Sequence, residues 1–356
     1  MINFCTLFDS NYLSRGLALH TSLRKVCPSF HLYVLAFNQE CYDYLVSANL
    51  ENLTIISLTD FEDDELLTIK STRSAAEYCW TCTPSIILFC IEKYSLSSCT
   101  YIDADMIFYH DPSILIEEMG EQSILLTEHK YTKDYDQSRK SGIYCVQFMC
   151  FKHTSDGMTA LTWWRERCIE WCYARHEDGK FGDQKYLDDW PERFKGVHVL
   201  RNPGGGVAPW NLQKFIFFKK NDSVCLVEKK SGISYPLIFF HFHGVKFYTD
   251  QYISCCEALY QIDPETKKLI YLPYFKCLME IEDRLKKEGV KFNVNGASTV
   301  SPRKANIVMQ YLKDVFATLK MGNINFPSWH LFNINKHNHF YKLELIKKNN
   351  GRTDRS

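Results

Sequence analysis

Short apolar runs alternate with helix-period stretches through the first part of the chain. Phe4 to Phe8 reads as a buried strand, and Asn11 to Val26 as a helix whose apolar face is Leu13, Leu17, Leu19, Leu23 and Val26. Asp9, Ser10 and Asn11 supply capping groups at its start. A strand over His31–Phe37, a helix over Gln39–Ser47 and a strand over Leu53–Leu58 repeat the unit. Thr83-Pro84 predicts a helix start, with a hydroxyl at the N-cap and proline at the first turn. The predicted helix runs through Ile86, Ile87, Leu88, Cys90 and Ile91 toward the apolar strand Cys99–Ile102. Repeated strand-helix-strand units imply an α/β fold with a mostly parallel sheet and helices on both faces.

Beyond residue 120 the pattern changes. Strands are predicted at Ile124–Thr127, Tyr144–Phe151, Val197–Leu200, Val224–Val227 and Leu237–Phe242. A helix over Gly157–Arg175, capped by Ser155 or Asp156, lies among them, and the polar stretch 128–142 reads as a loop. After Phe247 three helices are predicted, at Gln251–Gln261, Tyr274–Lys287 and Pro302–Met321. This divides the chain into residues 1–250 and a helical extension, 251–356, that ends in a basic tail from Lys336. The tail reads as a solvated end or as a patch for anionic lipid headgroups.

Lys and Arg total 42 and so do Asp and Glu, so the neutral balance argues against a general nucleic-acid binder. No apolar run approaches the roughly 20 residues of a membrane span. Met1 to Asp9 lacks the basic and long apolar regions of a secretory signal. Fifteen cysteines cannot all pair within one chain, and many sit in apolar runs, which fits a reducing cytoplasm. Cys79-x-x-Cys82 with Cys168-x-x-x-Cys172 could make a zinc site, but no histidine has ligand spacing beside them.

The stretch that carries most chemistry is Tyr101-Ile102-Asp103-Ala104-Asp105. Side chains two apart on an extended segment point the same way, so Asp103 and Asp105 converge either on solvent, as a turn, or on one cation. Hard oxygen ligands of this kind suit Mg²⁺ or Mn²⁺, which in turn can hold a diphosphate. In parallel sheets ligands bind beyond the carboxyl ends of strands, where Asp103, Asp105 and Asp9 all fall. Asp183-Gln184 and Gly204-Gly205-Gly206, with an exposed-looking Trp210 and Asn211, form further polar segments. His241-Phe242-His243-Gly244-Val245-Lys246 ends a late strand.

In this order Asp9-Ser10-Asn11-Tyr12, Asp103-Ala104-Asp105, Asp183-Gln184 and His241 to Lys246 resemble the GT-A glycosyltransferases, most closely glycosyltransferase family 8 and its bacterial relatives. The resemblance covers residues 3–250. Glu77–Ser85 and Gly182–Pro191 also look like sugar transferases of bacterial surface-polysaccharide loci. It implies a Rossmann-like GT-A fold and a retaining transferase that moves a sugar from a UDP-sugar to a glycan or lipid-linked acceptor. The enzyme would be cytoplasmic, with peripheral contact to the inner membrane surface through the basic tail.

The resemblance also implies roles. Asp103, Asp105 and His241 would bind Mn²⁺, with Mg²⁺ as the alternative; an imidazole ligand favours Mn²⁺. Asp9, Asn11, Tyr12, Asp103, Ala104, Gly244 and Lys246 would hold the nucleotide-sugar, Tyr12 by stacking on the base. Asp183 and Gln184 would face the reacting carbon. Lys246 stands one residue closer to His241 than in the family, which leaves His243 as an alternative ligand. The family's arginine before the aspartate pair is replaced by Thr83-Pro84-Ser85, with Arg73 as a candidate substitute. The family's Asn-Ala-Gly strand has become Tyr144-Cys145-Val146-Gln147, where Gln147 either binds sugar or is a strand polar residue.

Two other functions fit parts of the pattern. Asp103 could be the nucleophile of a haloacid-dehalogenase-type phosphohydrolase, with Asp105 as its acid, although Met106-Ile107 follow where that motif expects Thr or Val. A non-catalytic sugar-nucleotide binder is the third.

Overall fold

The computed structural model describes residues 1–257, 259–301 and 339–348. The predicted helix Pro302–Met321 lies outside the described residues, as does most of the basic tail. Strands β1 (Ile2–Phe8), β2 (Phe30–Ala36), β3 (Leu53–Ser57) and β4 (Ser98–Ile102) come first. Next, β5 (Met106–Phe108) follows the aspartate pair. The main sheet is completed by β6 (Ile124–Glu128), β7 (Tyr144–Lys152) and β8 (Val197–Val199). Its order is β3-β2-β1-β4-β7-β6-β8. Only β7 runs against the others in this sheet.

The chain moves outward from β1 to β2 and β3, then returns to place β4 on the other side of β1. Adjacent crossovers therefore diverge between β1 and β4, and their carboxyl ends open a crevice there. Asp9 follows β1 and Asp103 follows β4, so both border it. Alternation along β1 builds the two faces: Phe4 and Phe8 enter one core, Cys5 and Leu7 the other.

Several expected boundaries move. The helix expected to start at Thr83 starts at Ala75, and Pro84 lies inside it. The cause is a capping box: Ser74 Oγ accepts from the Glu77 N–H, and the Glu77 carboxylate accepts from the Ser74 N–H. The later helix is Ser155–Glu170, capped by Thr154 and ending well before Arg175. The described residues within 251–261 hold no helix: β14 (Tyr252–Ser254) there pairs with β13 (Lys246–Tyr248) and with β15 (Phe340–Lys342). Before them, β9 (Phe215–Lys220), β10 (Ser223–Glu228) and β11 (Ser234–Pro236) form a small sheet, and β12 (Phe239–His241) pairs with β5. The expected helix near 274–287 is present as Leu272–Lys287 and joins the core that Phe4 and Phe8 enter. Among the described residues no helix is long and apolar enough to cross a membrane.

Trp164 is fully buried between Phe151 and Trp190, with ring centroids 6.2 and 5.8 Å away, and its Nε1–H donates to the Asp183 carbonyl at 2.9 Å. Trp164→Ala is expected to cost about 3–5 kcal/mol in urea unfolding. A change under 1 kcal/mol would mean that this helix packs without it.

Candidate functional site

The β5–β12 ladder explains how distant residues meet. His241 stands opposite Met106, next to Asp105, and the Phe242 N–H donates to the Asp105 carbonyl at 2.9 Å. His241 Nε2 thereby lies 3.1 Å from Asp105 Oδ1 and 3.6 Å from Asp103 Oδ2. One ligand atom from each of the three residues falls within 4.8 Å of the others. The Tyr101 hydroxyl donates to Asp103 Oδ1 at 3.0 Å. Behind the ring, His241 Nδ1–H donates to Gln147 Oε1 at 2.8 Å.

The charges reinforce one another. Burial alone would raise the Asp105 carboxyl, but the His241, His243 and Arg15 charges outweigh it and lower its pKa. Burial opposes charge on His241 as well, yet Asp105 wins and raises its pKa. Asp103 is raised, first by burial and then by Asp105, with His241 opposing. Asp105 thus keeps its charge while the two carboxylates favour the protonated His241 ring between them.

Beside the cluster is a cavity of about 480 Å³ lined by Tyr12, Arg15, Gly244, Lys246, Asn295 and Gly296 among others. Asp9 caps the turn that presents Tyr12: its oxygens accept from the Asn11 backbone N–H at 3.0 Å and the Asn11 side-chain amide at 2.9 Å. Tyr12 is 39% exposed, with the Arg15 guanidinium 4.4 Å from its ring centroid. Gly244, at φ +79°, occupies the third position of the turn closed by the Val245 N–H to Phe242 carbonyl bond. That conformation suits glycine and leaves Lys246 exposed at the cavity.

Asp183 is 3% exposed, and its Oδ2 has no hydrogen-bond partner among the described residues. Burial, then the Asp103 charge, pushes its carboxyl up to about 7, against weaker opposition that includes the Thr83 hydroxyl. Gln184 turns toward the 128–142 segment, donating from Nε2 to the Ser141 carbonyl at 2.6 Å. Ala104 is buried in the core between the two aspartates.

Four expectations change. Arg73 does not stand in for the family arginine, because it donates to the Ile169 carbonyl at 3.0 Å and stacks 3.9 Å from the Tyr173 ring. Gln147 does not line the cleft: it is fully buried and bonded to His241. Trp210 and Asn211 are 4% and 2% exposed rather than open to solvent. Asn211 ties the His129 and Gly206 carbonyls, and Trp210 meets His129, His241 and His243 edge-on. Of the two histidines, His241 joins the carboxylates, while His243 stays outside that group. The cysteine pairs at 79/82 and 168/172 do not form a ligand group among the described residues, and all fifteen cysteines are free thiols.

Sequence reading missed Arg15, Asn295 and Gly296. Arg15 is 2% exposed and donates to the Val245 carbonyl at 3.0 Å and the Asn295 carbonyl at 3.4 Å. Its signal was an arginine one helical turn before Leu19, in the first turn of the helix beside Leu13, Leu17 and Ala18. Asn295 accepts from the Ser14 hydroxyl, a contact across most of the chain for which no local pattern exists.

The seven-stranded, mostly parallel sheet flanked by helices is the GT-A fold. The galactosyltransferase LgtC, solved with donor and acceptor sugar analogs, shares that fold. Its TM-score is 0.51 at 11% identity, over 81% of this chain and 100% of that one. The chain belongs to the family of YfnD and YfnF of Bacillus subtilis (strain 168), both described as uncharacterized proteins. It is 32% identical to YfnD over 291 residues, 80% of this chain and 90% of that protein. It is 33% identical to YfnF over 252 residues, 68% and 81% of the two chains. No protein-family model matches the chain.

Proposed function

We propose that this protein is a divalent-metal-dependent glycosyltransferase. It moves a sugar from a nucleotide-sugar, a UDP-sugar, to a glycan or lipid-linked acceptor with retention, in the synthesis of surface polysaccharide. The observation that carries this reading is the convergence of Asp103, Asp105 and His241 beside a cavity lined by Tyr12 and Lys246. Residues 1–250 would form the catalytic unit. The extension would add to the wall of the donor pocket through Asn295 and Gly296, and its basic end would meet anionic lipid.

The residues fit a cation. Ligand atoms about 2.1 Å from one octahedral cation lie about 3 Å apart. The separations of 3.1 and 3.6 Å around His241 Nε2 are close to that. Two carboxylates with an imidazole suit Mn²⁺ better than Mg²⁺. When bound, the cation supplies Lewis-acid stabilisation to the leaving diphosphate.

The chain's own groups do the rest. Tyr12 stacks on the base, with Asp9 and Asn11 shaping the turn that holds the nucleoside. Lys246 neutralises phosphate charge, and Gly244 lets the backbone approach closely. Asp183 faces the donor sugar, and Gln184 links that face to the short helix Ser138–Ser141.

Thermal melts test the reading. UDP with Mn²⁺ is expected to raise the melting temperature by several degrees, and UDP with EDTA to leave it nearly unchanged. Equal stabilisation with and without metal would overturn it, and steady phosphate release from generic phosphate esters would favour the hydrolase instead. UDP binding without transfer or hydrolysis across donors would leave only a binder.

A further inference from the structure

We propose that Gln147 is a positioning residue for the metal clamp: it fixes the His241 ring so that Nε2 faces Asp103 and Asp105, and thereby sets the cation affinity. This rests on the clamp being a metal site.

Gln147 holds two of the three arms. Its Oε1 accepts from His241 Nδ1–H at 2.8 Å, and its main-chain carbonyl accepts from the Asp103 N–H at 3.2 Å. The strand is distorted at this residue. Between the Leu125–Cys150 and Thr127–Cys145 pairs, β6 advances by two residues while β7 advances by five. Such a bulge re-aims a side chain, and Thr127 braces it by donating from Oγ1 to the Phe148 carbonyl at 2.7 Å.

The amide is also out of place as packing. Gln147 is 0% exposed among Cys145, Val146 and Phe148, and its Nε2 has no hydrogen-bond partner among the described residues. A buried unpaired donor costs stability that an apolar residue would not. A half-satisfied amide touching a ligand ring is the pattern of a group that sets tautomer and orientation.

The test is a Mn²⁺ titration of the metal-free full-length protein, followed by electron paramagnetic resonance. Gln147→Leu removes the acceptor and is expected to raise the Kd about 10–100-fold. Gln147→Glu keeps an acceptor and is expected to bind at least as tightly as wild type. Gln147→Leu removes the unpaired Nε2 donor but leaves the His241 Nδ1–H without its acceptor, so its effects on the metal-free melting temperature oppose each other and the shift should be small beside the loss of affinity. Should that variant fail to fold, Gln147→Met carries the same expectation. A leucine variant within twofold of wild type, or a glutamate variant as weak as leucine, overturns the role of Gln147 alone. A wild type that binds no Mn²⁺ overturns the metal reading, and this inference with it.

Discussion

Asp105→Asn is expected to lower the Mn²⁺-dependent transfer rate by about a thousandfold or more, equivalent to about 4 kcal/mol of lost transition-state stabilisation. Asparagine nearly preserves the shape of aspartate, so the fold should survive. The charge does not, and it is the charge that matters. Asp105 is the carboxylate nearest His241 Nε2, at 3.1 Å, and its pKa is lowered by His241, His243 and Arg15 despite burial. Its negative charge is therefore held ready near neutral pH. Without it, His241 loses its main anionic partner and the cation loses one hard ligand. Asp103→Asn should be similarly inactive, though the Tyr101 hydroxyl still has an oxygen to donate to. The measurement is product formation from a UDP-sugar across a Mn²⁺ series. Recovery of wild-type turnover at high metal would mean that Asp105 serves metal affinity alone. Wild-type turnover of the variant in EDTA would refute the clamp.

The elements that sequence reading placed correctly are those whose signal is local. β1 to β3 and their helices combine buried apolar runs with capping groups inside the same short window. The aspartate pair is similar, because adjacent residues on one strand end need no distant partner to be seen. Where the outcome depended on distant chain, local signals misled. Pro84 looked like a first-turn residue until the Ser74–Glu77 box began the helix earlier. Residues 251–261 carry apolar spacing that suits a helix, but β14 is fixed by pairing with β13 and with β15, almost at the far end of the chain.

The site divides along the same line. Asp9, Asp103, Asp105, Asp183 and His241 each sit at an element end, where polar residues interrupt an apolar pattern. Arg15, Asn295 and Gly296 were hidden because their meaning lies in contacts between the first helix and the extension. Gln147 was legible as a sugar ligand or a strand polar residue, but its bond to His241 was not, since the bulge beside it exists only in the register of β6 against β7.

Asp183→Asn is expected to abolish most transfer while stabilising the metal-free protein at alkaline pH. The Asp183 carboxyl is buried, with one oxygen lacking a partner among the described residues, and burial together with the Asp103 charge raises it to about 7. Between the unfolded value near 3.8 and that folded value, the native protein keeps a proton that the unfolded chain has released. Stability therefore falls as pH rises through this window, and the whole cost is present above about pH 7. Its upper bound is about 4 kcal/mol. Asparagine carries no such cost, so the melting temperatures of wild type and variant in EDTA should coincide near pH 4 and diverge toward pH 8, with the variant higher. Mn²⁺ adds positive charge beside Asp103 and should narrow that gap by favouring the ionised carboxylate. Melts between pH 4 and 8 with a transfer assay at pH 7.5 decide the matter. A variant that is less stable than wild type at pH 8, or that transfers sugar at the wild-type rate, would remove Asp183 from the reacting centre.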